Sequence, residues 1–207
     1  MDLRDALTQI AAIRQQVART ETFRGYRAAP VALSGVLAWL AAAVQAWQLP
    51  QPAQNPGAWL TLWIGAAVCS LAITGIAMAL HCWHAPSPLS RTLTTLAVGQ
   101  FLPCLVAGGL LTAAFWLHLA DWLWMLPGLW SILFSLGIFA SFRLLPRATF
   151  FVAVWYLAAG ILCLAWAQGE HAYSLWAMAI PFGVGQLLAA GILYWTLEAD
   201  RKGDRTF

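Results

Sequence analysis

Six long apolar stretches dominate the chain, at 31–48, 57–81, 94–117, 121–142, 146–167 and 173–197. Each is about 18–25 residues long, which at 1.5 Å per residue crosses a hydrocarbon core roughly 30 Å thick. The pattern predicts an all-α integral membrane bundle of six transmembrane helices. Ahead of it, Leu3, Ala6, Leu7, Ile10, Ile13 and Val17 recur at helical spacing, with Arg4, Arg14, Gln15 and Arg19 around the rest of the wheel. Residues 2–22 therefore read as a cytoplasmic amphipathic helix whose apolar stripe needs a cover: the membrane surface, the bundle itself or a partner chain. Gly25 and Pro30 end it before the first span. The expected units are an amphipathic segment over 1–24, a six-helix domain over 31–197 and a charged cytoplasmic tail over 198–207.

The connections are short. Prolines 50, 52 and 56 break the first, the segment His118 to Asp121 forms another, and Gln168 to Ala172 a third. The longest, His81 to Thr92, carries Pro86 and Pro88. Such links make sequential helices antiparallel neighbours and leave no room for a separate catalytic domain.

Charge adds orientation. The 11 positive residues are Arg4, Arg14, Arg19, Arg24, Arg27, Arg91, Arg143, Arg147, Arg201, Lys202 and Arg205. They fall before the first stretch, in alternate connections and after the last. That one-sidedness predicts both ends in the cytoplasm of a bacterial inner membrane. No cleavable signal peptide is expected, because the first apolar run starts late and continues into a full span. With 61% hydrophobic and 9% charged residues, the apolar surface must face lipid. No basic stripe with interleaved aromatics stands outside the spans, so nucleic acid is not an expected partner. The expected partners are the bilayer, a protein reached through residues 1–24, or a second copy of the chain.

Of the 13 tryptophans, Trp47, Trp59, Trp63, Trp116, Trp122, Trp124, Trp166 and Trp176 fall near the outer boundary, and Trp83 and Trp195 near the inner one. An interfacial belt explains them, with an outward-facing aromatic pocket as the alternative. Trp39, Trp130 and Trp155 lie deeper and need N–H acceptors. Cys69, Cys104 and Cys163 sit in apolar stretches and Cys82 in a cytoplasmic loop, so no disulfide framework is implied.

No Asp, Glu, Lys, Arg or His lies in a span interior. Proton relays, carboxylate-coupled transport and intramembrane proteolysis all need such groups and are disfavoured. What remains is amides beside broken backbone. Gln100 precedes Pro103 in span 3, and Gln186 follows Pro181 in span 6, at depths within roughly 5–8 Å of each other. The prolines free the carbonyls of Gly99 and Ala177. Gln100, Pro103, Gln186 and Pro181 are therefore the candidate ligand-lining residues of a small polar cavity between spans 3 and 6. The competing reading is an interhelical amide bond worth about 0.6–1.7 kcal/mol. Val98-Gly99-Gln100 and Val184-Gly185-Gln186 hint at an inverted repeat, from a short match. Gly108 with Thr112, Gly137 with Ser141, Gly185 with Ala189 and the pair Ser34-Gly35 are packing devices. His118, Asp121, Glu170 and His171 form the one extracytoplasmic titratable group; they are weak candidate metal ligands, and solvated loop ends are the favoured reading.

Three stretches carry a family resemblance: Thr22-Phe23 before span 1; Phe101-Leu102-Pro103 through Ala107-Gly108-Gly109-Leu110-Leu111-Thr112; and Leu126-Pro127-Gly128-Leu129-Trp130 through Gly137. With these, about half of the chain resembles an uncharacterised family of six-span bacterial integral membrane proteins. Pro181-Phe182-Gly183-Val184-Gly185 departs from the glycine-rich run expected there. The resemblance implies six spans as the complete unit and no particular activity.

The functional expectation is a non-enzymatic binding or transport module for a small uncharged or hydrophobic ligand, admitted from the outer-leaflet side. The alternatives are an accessory or scaffold subunit and a metal-dependent membrane enzyme. No cofactor is required by the sequence.

Overall fold

The computed structural model describes residues 28–84, 88–142 and 144–199. The amphipathic helix expected over 2–22 and the tail from 200 onward lie outside them. The described residues form helices and no strands. Helix α1 covers Ala28–Gln48, α2 Pro56–His84, α3 Pro88–His118, α4 Leu126–Ser141 and α5 Thr149–Trp166. Helix α6 is composite: α-helical over Leu175–Met178, π-helical over Ala179–Val184, α-helical over Gly185–Leu193 and π-helical again over Tyr194–Ala199. Six segments are long and apolar enough to span a membrane: Ala28–Gln48, Pro56–Leu80, Val98–His118, Ala120–Ser141, Thr149–Trp166 and Leu175–Thr196. This is an all-α bundle and marks a membrane protein.

Local chemistry sets the boundaries. At the start of α2, the Asn55 side chain accepts the Ala58 N–H at 3.1 Å and Pro56 takes the first helical position, where its missing donor costs nothing. A 310 turn over Ala120–Met125 leads into α4, whose Pro127 sits in the first turn. After α5, Gly169 takes φ of +60°, a conformation glycine enters without strain. Pro103 lies inside α3 without ending it. Pro181 is absorbed differently, within the wider π turn of α6.

The bundle has two ends. One carries the turns Pro52–Gln54, Ala120–Met125 and Gly169–Tyr173, and is rich in tryptophan. The other carries the start of α1 and Arg147; there Ala28 and Val31 of α1 pack on Ala190 and Leu193 of α6. Helices α4 and α5 meet backbone to backbone: a Cβ on Gly160 would lie 2.8 Å from the Gly128 carbonyl oxygen, and one on Gly128 2.9 Å from that of Gly160. Helices α1 and α6 approach similarly, with Gly35 against the Gly183 carbonyl. Of the small residues singled out in the sequence, Gly137 faces the Phe101 ring and Gly185 faces Tyr156.

Burial is uneven. In the spanning windows of α1, α4, α5 and α6, 33–44% is buried, against 6% in α2 and in α3. Few of the residues in these two windows are buried.

Candidate functional site

The space beside α2 and α3 is a cavity of about 450 Å³ reached by all six helices. Its walls are mostly apolar, and no charged residue among those described lines it. Trp63, Trp130 and Met178 line it toward the tryptophan end; Ser141, Thr149 and Leu193 line it toward the Arg147 end. Along α4 the wall runs from residue 130 to residue 141, about 16 Å at the helical rise. Volume and lining match the usual range for small-molecule sites, roughly 300–1,000 Å³.

Most polar groups on this wall are already used. Ser34 donates to the Val31 carbonyl at 2.7 Å, Thr74 to Ser70 at 2.8 Å and Thr149 to Pro146 at 2.7 Å. Thr112 donates to Gly108 and accepts from Trp130 Nε1 at 2.9 Å. Ser141 is different: its Oγ is buried and has no hydrogen-bond partner. Gln186 lines the cavity from the turn after the π segment. The Tyr156 hydroxyl lies beside it, short of hydrogen-bond geometry and otherwise unpartnered.

The four residues expected from the sequence separate here. Gln186 is on the cavity wall. Gln100, Pro103 and Pro181 are not among its lining residues. Neither glutamine bonds the other, and Gln100 Oε1 is buried without a partner. The Pro181 carbonyl accepts from Trp155 Nε1 at 3.2 Å, which also meets the need expected for that deep indole. The cavity is broader than a space between spans 3 and 6. His118, Asp121, Glu170 and His171 do not assemble: among the described residues, no three His, Cys, Asp or Glu side chains stand close enough to hold a metal.

The tryptophan end is built on Gln45, a residue the sequence does not flag. Its side chain is 2% exposed. Nε2 donates to the Tyr173 carbonyl at 2.7 Å, and Oε1 accepts from Trp63 Nε1 at 2.7 Å. Trp59 stacks on Trp130 at 6.0 Å and meets Tyr173 edge-on at 5.2 Å. Trp59 and Trp63 are thus core residues, whereas Trp47, Trp116, Trp122, Trp166 and Trp176 stay exposed as a belt requires. The aromatic and amide cluster packs this end of the cavity.

No family model, no curated protein and no solved structure matches the chain.

Proposed function

We propose that this protein is a non-enzymatic membrane module that binds a hydrophobic ligand inside its helix bundle. The observation that carries the reading is the cavity of about 450 Å³ at the centre of six apolar helices. Among the described residues its wall is neutral, without the paired titratable groups that acid–base or metal chemistry needs. A cavity of that composition favours apolar occupants, since apolar cavities stay dry. The one-sided arginines support a bacterial inner-membrane location with both termini cytoplasmic.

Mass spectrometry of hydrophobic molecules extracted from gently purified protein tests the reading. Gly108 lines the cavity, and a Cβ there would make only ordinary contact with Leu133 at 3.8 Å. Gly108→Phe should fill the space without breaking the fold. The native chain should retain about one hydrophobic molecule that Gly108→Phe loses. Identical extracts from both proteins would contradict it.

A second reading rests on the low burial of α2 and α3, whose exposed faces suit a protein neighbour, either a second copy or the larger complex of an accessory subunit. Mass measurement in nanodiscs distinguishes it: a single chain per disc, with no co-purifying subunit, counts against it.

A further inference from the structure

We propose that the cavity takes a specific class of ligand: an uncharged long-chain amphiphile that enters sideways from the bilayer between α2 and α3. Its hydroxyl or carbonyl head is held by Gln186 and Ser141. The inference rests on the binding reading above and adds the ligand class and the route.

The route follows from the walls. Ile64, Val68 and Leu71 of α2 line the cavity, yet they are also 39%, 58% and 44% exposed. Gly109 of α3 lines it too, and a Cβ there would meet nothing within 4 Å. Wall residues this accessible belong to an open side of the cavity, and α2 and α3 have the least buried spanning windows, at 6% each; the outside of these helices is hydrocarbon. The cavity is therefore continuous with the bilayer interior. The opposite approach is packed: Gln45, Trp59, Trp63 and Tyr173 fill the tryptophan end. Access from the outer-leaflet surface, as the sequence suggested, is less suited to this shape than access through the side.

The class follows from the unused polar atoms. The hydroxyls of Ser34, Thr74, Thr112 and Thr149 are committed to backbone carbonyls. Trp63 and Trp130 donate to the side chains of Gln45 and Thr112. Ser141 Oγ is buried without a partner, and the Gln186 amide and, on the mouth helix, Ser70 also line the wall. Ser141 is 4% exposed, so its unpaired hydroxyl carries a desolvation cost that a ligand hydrogen bond would remove. No cationic or anionic side chain among the described residues lines the cavity, so a charged head would be desolvated without compensation. Against the described walls a neutral head with donor and acceptor capacity fits better than a carboxylate, phosphate or ammonium.

The test uses the full chain in vesicles of phosphatidylethanolamine and phosphatidylglycerol, labelled with a diazirine-bearing hexadecanol. Saturable labelling is expected on cavity residues of α2 and α3, such as Ile64, Leu71 and Leu105. Unlabelled hexadecanol should compete, and hexadecanesulfonate, its permanently charged counterpart, should compete at least tenfold more weakly. Gln186→Leu with Ser141→Ala should weaken labelling about tenfold, the loss of two net hydrogen bonds. Gly109→Phe should block the chain at the mouth; removing a helical glycine there tends to stabilise the helix. Equal competition by the sulfonate overturns the neutral-head assignment. If a small aryl diazirine labels the cavity saturably while hexadecanol does not, this inference fails and the binding reading stands. If neither labels saturably, both fail.

Discussion

Replacing Gln45 by leucine isolates the interaction that fastens the tryptophan end. The side chain joins three parts of the chain: α1, which carries it; α2, through Trp63; and the turn before α6, through the Tyr173 carbonyl. Leucine keeps much of the volume and removes both hydrogen bonds. It also strands two buried partners, since Trp63 is 3% exposed and Tyr173 9%. A net hydrogen bond contributes about 0.5–1.5 kcal/mol, and a stranded buried group costs about 1–3 kcal/mol. Between membrane helices the measured values are smaller, averaging about 0.6 and reaching about 1.7 kcal/mol. Two bonds near the middle of that membrane range, about 1 kcal/mol each, predict a loss of about 2 kcal/mol, roughly a thirtyfold shift in the folding equilibrium. Steric-trap unfolding in bicelles reads this directly. A double-mutant cycle with Trp63→Phe should return a coupling of about 0.6–1.7 kcal/mol, because each single change breaks the same bond. A cost below about 0.5 kcal/mol, with no coupling, would show that water satisfies these groups and would refute the packed end.

Other substitutions discriminate packed from open backbone. Gly160→Leu should cost about 3 kcal/mol, since its Cβ meets the Gly128 carbonyl and Ile132. Gly65→Ala, with open space around it, should be neutral or stabilising by about 0.5–1 kcal/mol; the same unfolding assay compares the two. Trp155→Phe removes the donor to the Pro181 carbonyl and should lower stability by about 0.5–1 kcal/mol, with hydrogen exchange rising locally over 179–184. Cysteines placed at Gln54 and at Arg147 should react with an impermeant thiol reagent from opposite sides of the membrane; labelling from one side would overturn the six-span topology.

The fold was legible because its signal is axial. Span length and the ends of apolar runs need only the rise per residue, and prolines 50, 52 and 56 mark a boundary that Asn55 then caps. The site was less legible because it depends on rotation about each helix axis. In a helix apolar on every side, no polar stripe shows which face turns inward. Gln100 and Gln186 could be matched in depth, yet only Gln186 turns to the cavity. The same ambiguity separates Trp59 and Trp63, which are buried, from Trp47 and Trp166, which are exposed, although all four lie near the same boundary. Gln45 stands two residues from Trp47 at the end of α1, where an amide reads as an interfacial residue; its role is set by Trp63 and Tyr173, 18 and 128 residues away. Ser141 reads in the sequence only as a packing partner of Gly137, since a serine at a helix end normally finds water or backbone.

The central claim is that the space between the six helices holds a hydrophobic ligand reached through α2 and α3. A cryo-electron microscopy map of the protein taken from its native membrane into nanodiscs tests it most directly. The account predicts elongated non-protein density beside Gln186 and Phe134 that runs out past Leu71 and Gly109 toward the lipid. A map in which α2 and α3 close together and their side chains fill that volume would contradict it.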